Sequence, residues 1–312
     1  NVISRLMSYL KHDRTRKMTG IIYPGISTPC YLLEENKLKT NLELINRVQK
    51  QSGCEIILAL KGFAMWSAFP LLKEYLKGCA ASSYNEARLA REQFGGHVHL
   101  YSPAYREEEI DSLIHLSDRI SFNSLSQWQR FADKSIQAGV SCGLRVNPLI
   151  DEVTTALYNP TGSESRLGID PLELQELPVG VEGLHVHALC ENEADSTVRL
   201  IDAVVSRFGQ YLESIKWLNL GGGHLMTRAG YDVELLVQTL SELKKHYPHL
   251  EIVLEPGSAV AWDTGPLIAS VLDLVHRGGV DIAILDISAT AHMPDVLEMP
   301  YRPSVRFAGE PG

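Results

Sequence analysis

The sequence predicts an α/β fold: an eight-stranded parallel β/α (TIM) barrel with an incomplete β domain built from both chain ends. Three observations carry that expectation. From Glu55 onward, eight short apolar runs alternate with segments of helical periodicity. Nearly every run ends on a polar residue or a glycine. Both flanks are strand-like and lack the alternation.

The runs, in order, are EIILAL (55–60), CAAS (79–82), HVHLYS (97–102), RISFNS (119–124), SCGLRVN (141–147), VEGLHVHAL (181–189), WLNL (217–220) and EIVLE (251–255). They are short and rich in apolar residues, as strands covered on both faces should be. Amphipathic stretches between them, such as Asn85–Phe94, Ser126–Gln137 and Val233–Tyr247, are predicted helices. Strand–helix alternation implies a parallel sheet, and eight repeats favour closure over an open sheet. In such a barrel the C-terminal strand ends form the active-site face. Here those ends carry Lys61, Ser82, Ser83, Ser102, Asn123, Asn147, His187, Gly221 to Gly223 and Glu255. Polar loop starts account for Ser102 and Asn123. They account poorly for a lysine, a histidine and a glutamate attached to apolar runs.

TPCYLLEE (28–35) is predicted to be a lone strand ahead of the first barrel helix, Asn36–Gln51. After Glu255, AVAWDTGPLIASVLDLVHRGGVDIAILDIS is strand-like, with a turn signal at Gly278–Gly279. The expected division is an N-terminal extension over 1–27, the barrel over 28–257 with 28–35 shared, and the start of a β domain over 258–312. The basic stretch Asn1–Lys17 precedes Met18, a candidate translation start.

At 312 residues, 45% hydrophobic and 21% charged, the chain has globular composition and length enough for a large core. No apolar run reaches the length that spans a bilayer, and the N-terminus lacks the apolar core of a secretory signal. A net charge of −9 argues against nucleic-acid partners and suits a cationic small molecule. The five cysteines (Cys30, Cys54, Cys79, Cys142, Cys190) are scattered, without CxxC spacing. They read as reduced thiols of a cytoplasmic protein, not as a disulfide or zinc framework. The glycine triplet follows the seventh run, whereas a dinucleotide fingerprint opens the first βα unit.

Lys61 directly follows an apolar run, where burial lowers a lysine's pKa and frees its amine to form a Schiff base. An ordinary strand-end lysine reaching out to water is the plainer alternative. LNLGGGH (218–224) places three glycines where barrels commonly bind phosphate, although tight turns use the same residues. Glu255, before a Pro-Gly turn, is a carboxylate able to pair with a protonated ring nitrogen, or simply a turn cap. His187 shares a period-two face with His185 and Leu189, and a lone histidine there is more often a core residue. Arg145 would need a buried anionic partner if it points inward.

Together these residues resemble the fold-type III pyridoxal-phosphate decarboxylases, which include ornithine, diaminopimelate and carboxynorspermidine decarboxylases. Within that group the chain is most similar to the carboxynorspermidine (carboxyspermidine) decarboxylases. The likeness rests on TPCYLLEE, LALKGFA, SSYNEARL, YSPAYREEEI, ISFNSLSQ, LRVNP, SRLGI, GLHVHALCE, LNLGGGH, LEPG and AILDISATAHMPDVLEMPYRP, in order from Thr28 to Pro303. The last of these is the most specific, because the general amino-acid decarboxylases do not share it.

The resemblance implies pyridoxal 5′-phosphate as cofactor, bound to Lys61 as a Schiff base. It implies that His187 stacks on the ring with Arg145 beside it. Gly222 and Gly223, with Cys190 nearby, would cradle the phosphate, and Glu255 would keep the ring nitrogen protonated. Asp286, Asp295 and Glu298 fall in the most specific stretch and would receive the extra ammonium groups of a polyamine. The implied function is decarboxylation of carboxynorspermidine or carboxyspermidine to norspermidine or spermidine, by a homodimer with shared active sites and no nucleic-acid or membrane partner. Two departures stand out. Ser258 follows LEPG where an ionisable residue is usual, and the chain ends at RFAGEPG, ahead of the family's segment with a cysteine proton donor and an aspartate. With no cysteine beyond Cys190, a truncated and weakly active product is expected. A diaminopimelate or ornithine decarboxylase remains the enzymatic alternative, against which the 283–303 stretch speaks. A silent homologue that binds cofactor or a partner subunit is the alternative of another class.

Overall fold

The computed structural model describes residues 25–153, 159–299 and 301–306. Met18, the basic stretch Asn1–Lys17 and residues 307–312 lie outside the described residues. The chain divides into two compact units, one spanning Glu35–Thr264 and the other built from Asn1–Glu34 and Gly265–Gly312.

In the larger unit all eight predicted runs become strands of one parallel sheet. With β1 (Cys30–Tyr31) in the smaller unit, they are β2 (Glu55–Ile56) and β3 (Leu58–Ala59), β4 (Gly78–Ala81), β5 (His97–Tyr101), β6 (Arg119–Phe122), β7 (Ser141–Arg145), β8 (Gly183–His185), β9 (Trp217–Asn219) and β10 (Glu251–Leu254). The first run is split because it changes partner at Ile57. Glu55 and Ile56 register with Val253 and Leu254 of β10, whereas Leu58 and Ala59 register with Cys79 and Ala80 of β4. One run therefore bonds the last strand and the next one, and the sheet closes into a barrel.

The long helices of this unit bury one face each. In α1 (Glu35–Ser52) the buried positions are Leu38, Leu42, Ile45 and Val48, at steps of three and four residues. Side-chain caps start other helices where the sequence places Ser or Asp: Ser83 accepts from the Glu86 amide, Ser124 from the Gln127 amide and Asp232 from the Leu235 amide. Such caps set the loop geometry at the C-terminal strand ends. Trp217 on β9 is buried against glycines of β8, the adjacent strand, and of β7, one strand further along. A Cβ on Gly143 or Gly183 would lie 2.3 or 2.0 Å from its indole ring, so only glycine leaves that space.

The smaller unit pairs β1 antiparallel with β11 (Leu267–Ile268), and β12 (Val271–Arg277) with β13 (Val280–Leu285). Gly278 and Gly279 make the hairpin turn with φ of +56° and +78°, as the turn signal predicted. Two strand expectations need correction. TPCYLLEE contributes only Cys30–Tyr31 as strand, because α1 begins at Glu35. The AVAW segment is not extended: Ser258–Ala261 is a helical turn, with the Asn41 side-chain amide donating to the Val260 and Trp262 carbonyls.

Candidate active site

Lys61 leaves the barrel just after β3, preceded by buried Leu58, Ala59 and Leu60. The next residue, Gly62, lets this strand end touch the turn that follows β10. A Cβ on Gly62 would sit 2.7 Å from the Gly257 Cα. This glycine–glycine contact brings the loops bearing Lys61 and Glu255 together. Lys61 keeps exposed surface at the mouth, yet the protein packed around it lowers its pKa through burial, opposed by nearby Glu255.

Two residues beyond β8, His187 sits beside that lysine. Its Nε2 is 3.4 Å from Nζ of Lys61, and its Nδ1 accepts the Gly222 amide at 2.9 Å. Burial, then Lys61 and Arg145, hold its pKa well below the usual histidine value, so the ring is neutral. Arg145 ends β7 and is 4% exposed. Its guanidinium lies 4.4 Å from the centre of the Tyr101 ring and donates to the His187 carbonyl at 3.2 Å. Burial also lowers the Arg145 pKa, with Tyr101 opposing.

Glu255 follows β10 and is buried. Burial raises its pKa, and the Asn219 amide, donating to Oε1 at 2.5 Å, opposes that rise ahead of Lys61. Its Oε2 lies 3.7 Å from Nε2 of His185. Neither ring nitrogen of His185, nor Nδ1 of His99, has a hydrogen-bond partner, although both rings are buried. Together with Tyr101, Arg145 and Glu255, these two histidines line a small chamber inside the barrel beneath Lys61.

The glycine triplet adopts backbone that other residues resist. Gly221 and Gly223 have φ of +70° and +91°, and a Cβ on Gly223 would lie 2.2 Å from the Leu189 carbonyl. A cavity of about 150 Å³ opens beside them, lined by Lys61, His187, Cys190, Gly222, Gly223 and Ser258.

Seven of the ten residues singled out in the sequence thus converge: Lys61, Arg145, His187, Cys190, Gly222, Gly223 and Glu255. The other three lie in the smaller unit. There Asp286 accepts the Ser270 amide at 2.8 Å, and a Thr28 hydrogen bond lowers its pKa. Asp295 and Glu298 bound a short exposed helix, Asp295–Glu298. Sequence reasoning missed Tyr101, His185, Asn219 and the Gly62–Gly257 contact. The one available signal was position: Asn219 sits two residues before the glycines, and His185 two before His187.

No protein-family model matches the chain. It is 46% identical over 288 residues to a carboxyaminopropylagmatine decarboxylase of Synechocystis, covering 92% of this chain and 74% of that protein. A carboxynorspermidine/carboxyspermidine decarboxylase of Campylobacter jejuni is 44% identical, over 91% and 74% of the two chains. Among solved structures, carboxynorspermidine decarboxylase of Campylobacter jejuni complexed with norspermidine superimposes with a TM-score of 0.82 at 42% identity, over 88% of this chain and 72% of that one. These likenesses run through the barrel and its site, and by them the chain belongs to the carboxynorspermidine/carboxyspermidine decarboxylase family.

Proposed function

We propose that the protein binds pyridoxal 5′-phosphate through Lys61 and removes the carboxylate from a carboxylated linear polyamine, carboxynorspermidine or carboxyspermidine. The observation that carries this reading is the shared pocket of a low-pKa lysine, a buried carboxylate and a glycine turn. The donor set fits the cofactor. Lys61 offers an amine for its aldehyde, Gly222 and Gly223 leave room close to their backbone for its phosphate, and Glu255 offers a carboxylate to its ring nitrogen.

When bound, the cofactor supplies a protonated ring that takes up the electron pair left by departing carbon dioxide. Lys61, its pKa lowered by burial, would hold the cofactor's aldehyde and yield that place to the substrate amine. Neutral His187 forms a flat wall beside Lys61, fixed in orientation by the Gly222 amide. Arg145, stacked on Tyr101 and bonded to the His187 carbonyl, keeps a positive charge in the inner chamber. Glu255 keeps a proton at the ring nitrogen.

The relatives are named for carboxyaminopropylagmatine, carboxynorspermidine and carboxyspermidine, which makes these three the candidate substrates. Asp286, Asp295 and Glu298, carboxylates of the stretch most specific to the family, are the proposed receivers of distal ammonium groups. A homodimer with shared sites completes the reading. Carbon dioxide release from carboxynorspermidine, carboxyspermidine and carboxyaminopropylagmatine, with diaminopimelate and ornithine as controls, tests it. A preference of on the order of tenfold or more for one of the first three is expected. A preference for either control would overturn the polyamine assignment.

A further inference from the structure

Asn219 ends β9 and is 2% exposed. Its side-chain oxygen accepts the Gly221 amide at 2.8 Å, which turns its side-chain nitrogen toward Glu255. That nitrogen donates to Oε1 of Glu255 at 2.5 Å. The backbone closes the figure, because the Glu255 amide donates to the Gly221 carbonyl at 2.7 Å. Asn219, the first glycine of the turn and Glu255 thus form one ring of hydrogen bonds.

The chemistry of this ring is directional. An amide N–H can only donate, so its bond favours the charged form of the carboxylate over the protonated one. It also commits Oε1 and leaves Oε2 toward the inner chamber, where His185 stands at 3.7 Å. Burial alone would push the carboxyl toward its neutral form, which could not keep a ring nitrogen protonated.

Resting on the cofactor reading above, we infer that Asn219 is a positioning residue that fixes the orientation and charge of the Glu255 carboxylate and ties it to the glycine turn. It acts through Glu255 and touches no reacting atom. Changes at Asn219 therefore matter only while a carboxylate stands at position 255.

The test is a double-mutant cycle on the full chain loaded with pyridoxal 5′-phosphate. Asn219→Ser removes both side-chain bonds, whereas Asn219→Asp keeps the acceptor for Gly221 and sets a second carboxylate against Glu255. Each is made alone and with Glu255→Ala. The readouts are the pH response of the bound cofactor's absorption, and kcat and KM for the carboxylated triamine. Either single variant is expected to shift the absorption midpoint and to lower kcat on the order of tenfold, with KM within about twofold. Asn219→Asp should do more than Asn219→Ser, and neither should add to Glu255→Ala. Should Asn219→Ser fail to fold, the nearly isosteric Asn219→Asp carries the comparison. Equal effects with and without Glu255, or an unchanged absorption midpoint, would overturn the role of Asn219 while leaving cofactor binding intact. Absence of any cofactor band from the unsubstituted protein would overturn the cofactor reading, and this role with it.

Discussion

Nζ of Lys61 lies 3.4 Å from Nε2 of a histidine whose other ring nitrogen, Nδ1 of His187, accepts a backbone amide from Gly222. A neutral imidazole that accepts at Nδ1 carries its proton on Nε2. The lysine must then be the acceptor, and only a free amine has the lone pair. Burial lowers the pKa of both groups, in agreement with that arrangement. The glycine turn thereby fixes the tautomer that points an Nε2 donor at the Lys61 amine.

A lysine with a lowered pKa weakens the cofactor-free fold. Between its folded pKa and the unfolded value of 10.5, the unfolded chain binds a proton that the folded chain does not, so stability rises with pH. Lys61→Met is expected to melt higher than the parent at pH 7, with the gap closing as pH approaches 10.5. Thermal melts of both cofactor-free proteins check this. A methionine variant that melts lower, or a gap independent of pH, would show that Lys61 is charged without penalty.

Gly223→Ala places a Cβ 2.2 Å from the Leu189 carbonyl on backbone with φ of +91°. Strain of this kind costs of order 1–3 kcal/mol before the clash is counted. Urea unfolding should show at least that loss, and titration with pyridoxal 5′-phosphate should show weakened binding. An alanine variant of parent stability would mean that the turn can relax.

At the opposite end of the barrel, Arg119 pairs with Glu251, and Glu251 lies against Glu55. Burial, then its contact with Glu251, raises the Glu55 pKa, while bonds from Arg119 and Glu55 hold Glu251 low despite burial. A raised carboxyl gives stability that is present below its unfolded pKa and lost as pH rises through the folded value. Glu55→Gln, neutral at every pH, should therefore gain on the parent between pH 5 and pH 8. The expected gain in Tm at pH 8 is roughly 2–4 °C, the equivalent of about 1 kcal/mol in a domain of this size. A gain equal at both pH values would place the proton elsewhere.

Much of this architecture was legible because its determinants are local. Apolar runs and the Gly278–Gly279 turn act within a few residues, and Lys61, His187 and Glu255 stand out by interrupting apolar patterns. The split of the first strand at Ile57 was not legible, because it depends on which partners β10 and β4 offer in space. Asn219 was hidden for the same reason. Its function lies in a bond to a residue 36 positions away. The helical turn at Ser258–Ala261 shows the converse case, in which a Pro-Gly turn and the Asn41 side chain prevail over strand-like composition.

Asp295 and Glu298 supply the test of substrate reach. Asp295→Asn combined with Glu298→Gln should raise KM for the carboxylated triamine by about tenfold, the scale of one lost charged contact. KM for a short diamino acid, which lacks the distal ammonium groups, should change less. An equal rise for both substrates would make the two carboxylates structural.

Trapping the cofactor on its lysine bears most directly on the assignment of the site. Purified protein is loaded with pyridoxal 5′-phosphate, reduced with borohydride, digested, and its adduct mapped by mass spectrometry. The expected result is a visible absorption band that disappears on reduction, with a single modified peptide bearing the adduct on Lys61. An adduct on another lysine, such as Lys73 or Lys77, or no adduct at all, would contradict it.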